Sequence, residues 1–478
     1  MKKVIVIYDD SLKPNKEIRS ITGDKSYGDT IFKRVTLKNR MREEIEKNKN
    51  VVSMYSISDE RENEKLKEEL TKMQEGRAVF YLYSNFGLAD TAQFQTLLTK
   101  TAYVNECYTV YCDDQPAAVM LPDVETYDKK AQQLLERNVL AERVETAAFM
   151  DLSDLNHFLT FITGGFDARF FNALAGDAYT VTKKSTKIEK IKSEYKFYYL
   201  LPDNMKMWFV MPYDYREDAN GASYTMERYH MTDIAIRFVH GAVSTEELSD
   251  ILDKLFYFIN IRGRKQVSEK EAKAVADALY VEKLKERMAD LKKLPAYSRF
   301  DALLSMGTDY AGIDAVVEKY LRLYEKIAAR PAENALAIGH GDLCFSNILY
   351  SREANLLKLI DPKGALNEED MYTDVYYDLA KLSHSICGYD FFNSGLYLIT
   401  MDRDMKIHLS IDADAAPYIE VFKNYLEKNG FDYVRVRLYE ASLFLSMLPY
   451  HMDQPGKVFG FLMNTIRILE EVETCTKI

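Results

Sequence analysis

Short apolar runs alternate with charged, helix-patterned stretches through the first 150 residues. Residues 4–8 (VIVIY) predict a buried strand, 40–49 a helix, and 58–73 a second helix opened by Ser58 and its following acids. Residues 78–83 predict a strand, 94–99 a helix and 108–112 another strand. Strands alternating with helices imply a mainly parallel α/β sheet. A glycine break, FITGGF, then marks a linker at 151–164. Beyond it the period changes to that of strands. Residues 170–174 and 178–184 flank Ala175-Gly176-Asp177, a hairpin signal. A helix is expected over 188–199, then strands over 208–213 and 223–229 around a loop at 214–221. From Ser244 onward the pattern is helical, with capping boxes at Ser244 and Ser268. One segment, 340–364, interrupts it.

A chain of 478 residues exceeds one compact core. The expected domains are 1–150, 165–235 and 236–478, the last two forming the lobes of one body. The net charge of −11 repels phosphate backbones and anionic lipid, so no nucleic-acid partner is expected. Five scattered cysteines read as reduced thiols, and no stretch approaches the roughly 18 apolar residues of a membrane span. A cytoplasmic protein is the expectation; oligomeric state is not readable.

The interruption reads His340-Gly341-Asp342-Leu343-Cys344-Phe345-Ser346-Asn347-Ile348-Leu349-Tyr350, a polar turn, then an apolar run ending at Asp361. Two short apolar runs around a polar turn form a β-hairpin. Asn347 enters its first strand and Asp361 leaves its second, so antiparallel pairing brings them within about one residue pair. An amide oxygen beside a carboxylate suits Mg²⁺ carrying nucleotide phosphates. Asp342, on the loop into the same hairpin, can accept a proton from an incoming hydroxyl.

This pattern, H-x-D-x4-N with a hydrophobic strand ending in Asp, resembles the signature of the aminoglycoside phosphotransferase and choline kinase-like group, distant relatives of protein kinases. The resemblance implies that the α/β N-terminal domain is followed by an α+β bilobal protein-kinase-like domain. It implies ATP and Mg²⁺ as cofactors, Asp342 as catalytic base, and Asn347 and Asp361 as magnesium ligands. Asp378, in Tyr377-Asp378-Leu379-Ala380-Lys381, is similar to the aspartate that braces the catalytic loop, and His340 to the structural histidine opening it.

A kinase-like fold also needs a strand lysine tied to a helix glutamate. Alternation puts Val181 and Lys183 on one face, so Lys183 is chosen beside Val181 as adenine neighbour, with Lys184 the rival. Glu194 is its expected partner, and Glu189 comes too early after the strand. Met226, Glu227, Arg228 and Tyr229 would contact the adenine edge through their backbone. No Gly-x-Gly-x-x-Gly loop is present, and Ala175-Gly176-Asp177 is the candidate phosphate cover.

Polar and aromatic clusters at 372–374, 384–390 and 450–453, with Tyr280, Lys283 and Arg287, look like a bacterial branch found with capsule and polysaccharide genes. There the phosphotransferase commonly follows a nucleotidyltransferase-like domain. Residues 1–150 resemble the sugar-nucleotide transferase fold in strand order, with Asp90 where a metal-binding aspartate would stand. The G-x-G-T-R loop is absent, so a degenerate or regulatory domain is expected. The function this reading implies is ATP-dependent phosphorylation of a hydroxyl on a sugar, polyol or amino alcohol. The alternatives are a bifunctional kinase/nucleotidyltransferase and a nucleotide-binding pseudokinase scaffold.

Overall fold

The structure, a computed structural model, describes residues 2–32, 34–72, 76–162, 172–176, 179–330, 332–411 and 413–476. Outside the described residues lie 163–166 of the glycine break and linker, 170–171 of the first hairpin strand, Asp177 of the phosphate cover, residue 178 of the next strand and residue 73 of the second helix. The chain divides into two compact units, Met1–Asp167 with His240–Ala242, and Ala168–Val239 with Val243–Ile478.

In the first unit, β1 (Lys3–Asp9), β2 (Val51–Ile57), β3 (Arg77–Tyr83), β4 (Tyr108–Cys112), β5 (Gln115–Leu121) and β6 (Glu142–Glu145) form one sheet in the order β2-β1-β3-β5-β4-β6. β1 lies parallel to both neighbours, and its apolar run is buried on both faces, as a central parallel strand requires. The sheet is mainly parallel, as the sequence implies, with β5 alone running antiparallel to its neighbours β3 and β4. β5 escapes the sequence reading because its connection to β4 is only Asp113 and Asp114. Both take positive φ, the conformation of a tight hairpin turn.

Three further expectations are corrected here. Asp90 is a helix cap: its carboxylate accepts the Ala92 and Gln93 N–H groups at the head of helix Thr91–Thr101. The expected linker is part of this unit as far as residue 162. Phe149–Asp151 pairs with Phe86–Leu88, and helix Leu155–Ile162 buries Phe158 and Ile162. His240–Ala242, expected within the helical lobe, belongs here too, with His240 Nε2 accepting the Ile31 N–H at 2.8 Å.

The second unit opens with an antiparallel sheet of β7 (Asn172–Gly176), β8 (Thr180–Ser185), β9 (Pro212–Asp218) and β10 (Gly221–Glu227), ordered β7-β8-β10-β9. Helix α1 (Ile188–Leu200) follows β8. The strand expected over 208–213 begins at Pro212 instead and runs through most of the expected loop. Trp208 and Phe209 are drawn off to another partner: Leu359 donates its N–H to Trp208 O at 2.7 Å and accepts the Val210 N–H at 3.2 Å.

The remainder is mainly helical around one apolar cluster. Ser244 and Ser268 cap helices Thr245–Ile261 and Glu269–Asp277, each hydroxyl accepting the N–H three residues on. Among the later elements, α2 (Lys283–Lys292), the hairpin of β11 (Ile348–Ser351) and β12 (Leu356–Leu359), and α3 (Tyr377–His384) carry the polar residues considered next. Among the described residues no helix is long and apolar enough to cross a membrane.

Candidate active site

The hairpin register is Ile348↔Leu359 and Ser351↔Leu356, which sets Asn347 opposite Ile360 and one residue from Asp361. Ile360 donates its N–H to Asn347 O at 3.0 Å, fixing that offset. Asn347 spends its amide nitrogen on Asp342, donating to the main-chain oxygen at 2.8 Å and to Oδ2 at 3.2 Å. Its Oδ1 is thereby turned away from Asp342 as a free acceptor. Asp361 sits at φ +56°, a left-handed conformation that costs a non-glycine residue on the order of 1–3 kcal/mol. Such strain persists where surrounding contacts dictate the position, and here Lys183 Nζ lies 2.9 Å from Asp361 Oδ1.

Lys183 is the strand lysine that the structure turns inward, while Lys184 is exposed. The Lys183 ammonium also lies 2.7 Å from Glu194 Oε2, both side chains being buried. Burial works against its charge, but Asp361 and Glu194 outweigh it and hold its pKa above the ordinary lysine value. Glu194 is fixed in turn by the Tyr224 hydroxyl at 3.1 Å. The segment after Asp361 packs on α1 at Gly364, φ +91°, where any Cβ would meet the Glu194 nitrogen at 2.7 Å. Ala365 donates its N–H to Ser193 O at 3.0 Å beside it. α1 and the hairpin are thus locked together at the point where their charged residues meet.

Asp342 pairs with Lys381 of α3, Nζ to Oδ1 at 2.9 Å. Burial would raise the pKa of Asp342, yet the Lys381 ammonium, with help from the Asn347 amide, holds it below the usual carboxylate range. Behind this pair Asp378 is wholly buried and accepts the N–H groups of His340 and Gly341, each at 2.9 Å. Its charge is balanced by Arg262, Nη1 to Oδ2 at 2.9 Å. His340 accepts the Asp342 N–H at Nδ1 and meets Ile360 O at Nε2, 2.9 Å away. Burial pushes its pKa down, so the ring is neutral and Nε2 carries the proton. Gly341 takes φ +78°, and a Cβ there would lie 2.5 Å from Lys363 Cβ. The loop therefore holds Asp342 at one place relative to the hairpin.

Val181 and Met226 face each other across β8 and β10, and Glu227 ends β10. Arg228 donates its N–H to Tyr179 O at 2.8 Å, and the Tyr229 ring lies 5.5 Å from the Lys358 ammonium. Met226, Tyr224, Glu194 and Asp361 share the lining of a cavity of about 20 Å³, room for about one water. Among the expected acceptor clusters, Asp374 is engaged inside the fold by the Tyr280 hydroxyl and the Tyr376 N–H, both at 2.9 Å. His384 is buried between the rings of Tyr389 and Phe444. These are packing roles. Lys283 and Arg287 of α2, with Tyr450, stay partly or fully open to solvent.

The sequence reading misses Lys381, Arg262 and Tyr224. Lys381 follows Asp378 by three residues on a helix, a position where lysines ordinarily face water, and nothing near Arg262 marks it as the partner of a residue 116 positions away. Among the described residues no group of three or more His, Cys, Asp or Glu could hold a metal. Asn347 Oδ1 with Asp361 nevertheless fits the hard, sparse ligand set that Mg²⁺ takes when nucleotide phosphates complete its shell.

No protein-family model matches the chain and no curated protein matches it. Among solved structures it is similar to aminoglycoside phosphotransferase APH(4)-Ia, at 11% identity over 65% of this chain and 97% of that one, TM-score 0.38. It is also similar to aminoglycoside phosphotransferase APH(3'')-Id from Streptomyces rimosus ATCC10970, solved in complex with ADP and streptomycin, at 16% identity over 62% and 98%, TM-score 0.33. Aminoglycoside-3'-phosphotransferase of type VIII gives 12% identity over 59% and 91%, TM-score 0.33. Scores of this size settle neither fold nor activity.

Proposed function

We propose that this chain is an ATP-dependent phosphotransferase with a protein-kinase-like second unit, moving the γ-phosphoryl group of ATP to a hydroxyl of a small molecule. The observation that carries this reading is the meeting of three side chains from distant segments. The Lys183 ammonium lies 2.7 Å from Glu194 and 2.9 Å from Asp361, on the hairpin that also bears Asn347 and the loop of Asp342. A buried lysine held between two carboxylates is a fixed positive charge available to triphosphate oxygens. Phosphoryl transfer needs chiefly such positioning and neutralisation.

In this reading Asp342, ionised at neutral pH, accepts the hydroxyl proton as the acceptor oxygen bonds to the γ-phosphorus. The bond from that phosphorus to the bridging oxygen breaks, and ADP leaves with the electron pair. Lys381 orients Asp342, and Lys183 meets the α- and β-phosphates. Val181 and the 226–229 backbone flank the adenine. Asn347 and Asp361 would hold Mg²⁺, which when bound supplies further neutralisation of the phosphates.

Residues 1–150 fit a degenerate nucleotidyltransferase-like domain better than an active one. Asp10, the residue after β1, is engaged by its own following loop, accepting from Ser26 Oγ at 2.6 Å and Gly28 N at 2.9 Å. A cytoplasmic role in capsule or polysaccharide synthesis is the context we assign.

The test is Mg²⁺-dependent ADP release from the full chain across sugars, polyols and amino alcohols with and without a phosphate group. Asp342→Asn should lower turnover by on the order of 100-fold or more while ATP affinity stays near normal. Undiminished turnover in that variant would remove Asp342 from the role.

A further inference from the structure

We infer that the hydroxyl acceptor carries an anionic group, a phosphate or carboxylate, bound by Lys283 and Arg287. The inference rests on the phosphotransferase reading and names the acceptor class for the same site. It begins at Lys381, whose ammonium is already balanced by Asp342. One turn earlier on the same face of α3 stands Tyr377, since residues four apart on a helix are neighbours. Helix α2 brings Lys283 to this tyrosine, with Nζ 3.4 Å from the hydroxyl and 5.8 Å from the ring centre. Arg287, one turn further along α2, lays its guanidinium 4.8 Å from the ring centre of Tyr450, an exposed residue. A track of aromatic and basic side chains thus leads away from the proposed base.

The charge balance along this track is what selects the ligand. Across a chain with formal charge −11, basic side chains have acidic partners in abundance. Among the described residues no ion pair forms at Lys283, and Arg287 reaches only Asp290, at 4.0 Å. Lys283 lies partly buried against an aromatic ring, where an unbalanced ammonium is costlier than in open water and an arriving anion gains more. An arginine beside a lysine is also the pairing that binds phosphate and carboxylate oxygens, one as a planar fork and the other as a point charge. Tyr450 offers an exposed ring face to the body of the acceptor, while Tyr377 is buried beneath Lys283 and positions it. A cationic amino alcohol would meet like charge at both basic positions. The acceptor is therefore a phosphorylated or carboxylated sugar or polyol, and a preceding step in its synthesis must be a phosphorylation or an oxidation to the carboxylate.

The experiment is isothermal titration of the full chain saturated with AMP-PNP and Mg²⁺. The probes are glucose 1-phosphate against glucose, glycerol 3-phosphate against glycerol, and choline as the cation. At least one phosphorylated probe should bind roughly 10-fold or more tightly than its neutral partner, as a charge-assisted contact requires. The K283Q/R287Q double variant should erase that difference, and K283R should retain it. Equal binding within both pairs, tighter binding of choline, or an undiminished preference in the folded double variant would overturn the inference. Failure of the folded wild-type chain to bind AMP-PNP would instead overturn the phosphotransferase reading beneath it.

Discussion

Lys381 keeps Asp342 ionised against its burial, and so would set the pH range in which Asp342 could serve as the proposed base. Two opposed influences act on the carboxyl: burial, which favours the neutral acid, and the ammonium 2.9 Å away, which favours the anion and prevails. A depressed pKa keeps Asp342 in its proton-accepting form as pH falls through the range where ordinary carboxyls protonate. The acid limb of the pH–rate profile therefore lies at low pH. Lys381→Met removes the cation and leaves the burial, so the pKa rises and the acid limb moves to higher pH. Turnover at neutral pH should fall by on the order of 100-fold, the usual loss when a fixed charge leaves an active site, and the deficit should narrow as pH rises. A profile displaced to lower pH, or not displaced, would separate Lys381 from the ionisation of Asp342. Asn347 and Asp361 are legible as neighbours because the polar turn and the apolar runs on either side set the hairpin register, and Asp342 is legible through the H-x-D-x4-N pattern. Lys381 is not, since its partner comes from another element.

At the scale of elements, the loop that bears Asp342 is held from behind by a buried ion pair as well as by the hairpin. Asp378 accepts two main-chain N–H groups of the loop, and its charge is answered by Arg262, which also donates to Val375 O at 3.2 Å. Both side chains are fully buried, so removal of one partner leaves the other without compensation. Arg262→Leu should destabilise the second unit by about 3–5 kcal/mol, read as a lower urea midpoint with an unchanged slope. A loss under about 1 kcal/mol would mean that the main-chain donors alone satisfy Asp378. Strand existence was legible at uninterrupted apolar runs such as β1 and β3, though not at β2, where serines break the run. It failed at 208–213, where Trp208 and Phe209 look like the start of a strand but pair with Leu359 of the hairpin. Local pattern carries burial; it does not carry the identity of the neighbour. The same limit hid β5, whose hairpin turn consists of two aspartates in a conformation they adopt only moderately often.

For the whole molecule, the two compact units each enclose their own buried apolar cluster, one built on β1, β3 and β5 and the other running from α1 to the C-terminal helix. Separate cores imply separate cooperative transitions. The proposed nucleotide contacts all lie in the second unit, so a nucleotide should stabilise that unit alone. At a ligand concentration 100-fold above its Kd the gain is about 2.7 kcal/mol, which for a body of this size raises the midpoint by roughly 5 °C. Scanning calorimetry with AMP-PNP and Mg²⁺ should therefore show two transitions, one displaced upward and the other fixed. Lys183→Met, which removes the ammonium between Glu194 and Asp361, should abolish the displacement without merging the transitions. A single transition that moves as a whole with nucleotide would mean that the units unfold together. A displacement confined to the transition of an isolated first unit would move nucleotide binding to the strand ends near Asp9 and Asp10, and would overturn the assignment of Lys183.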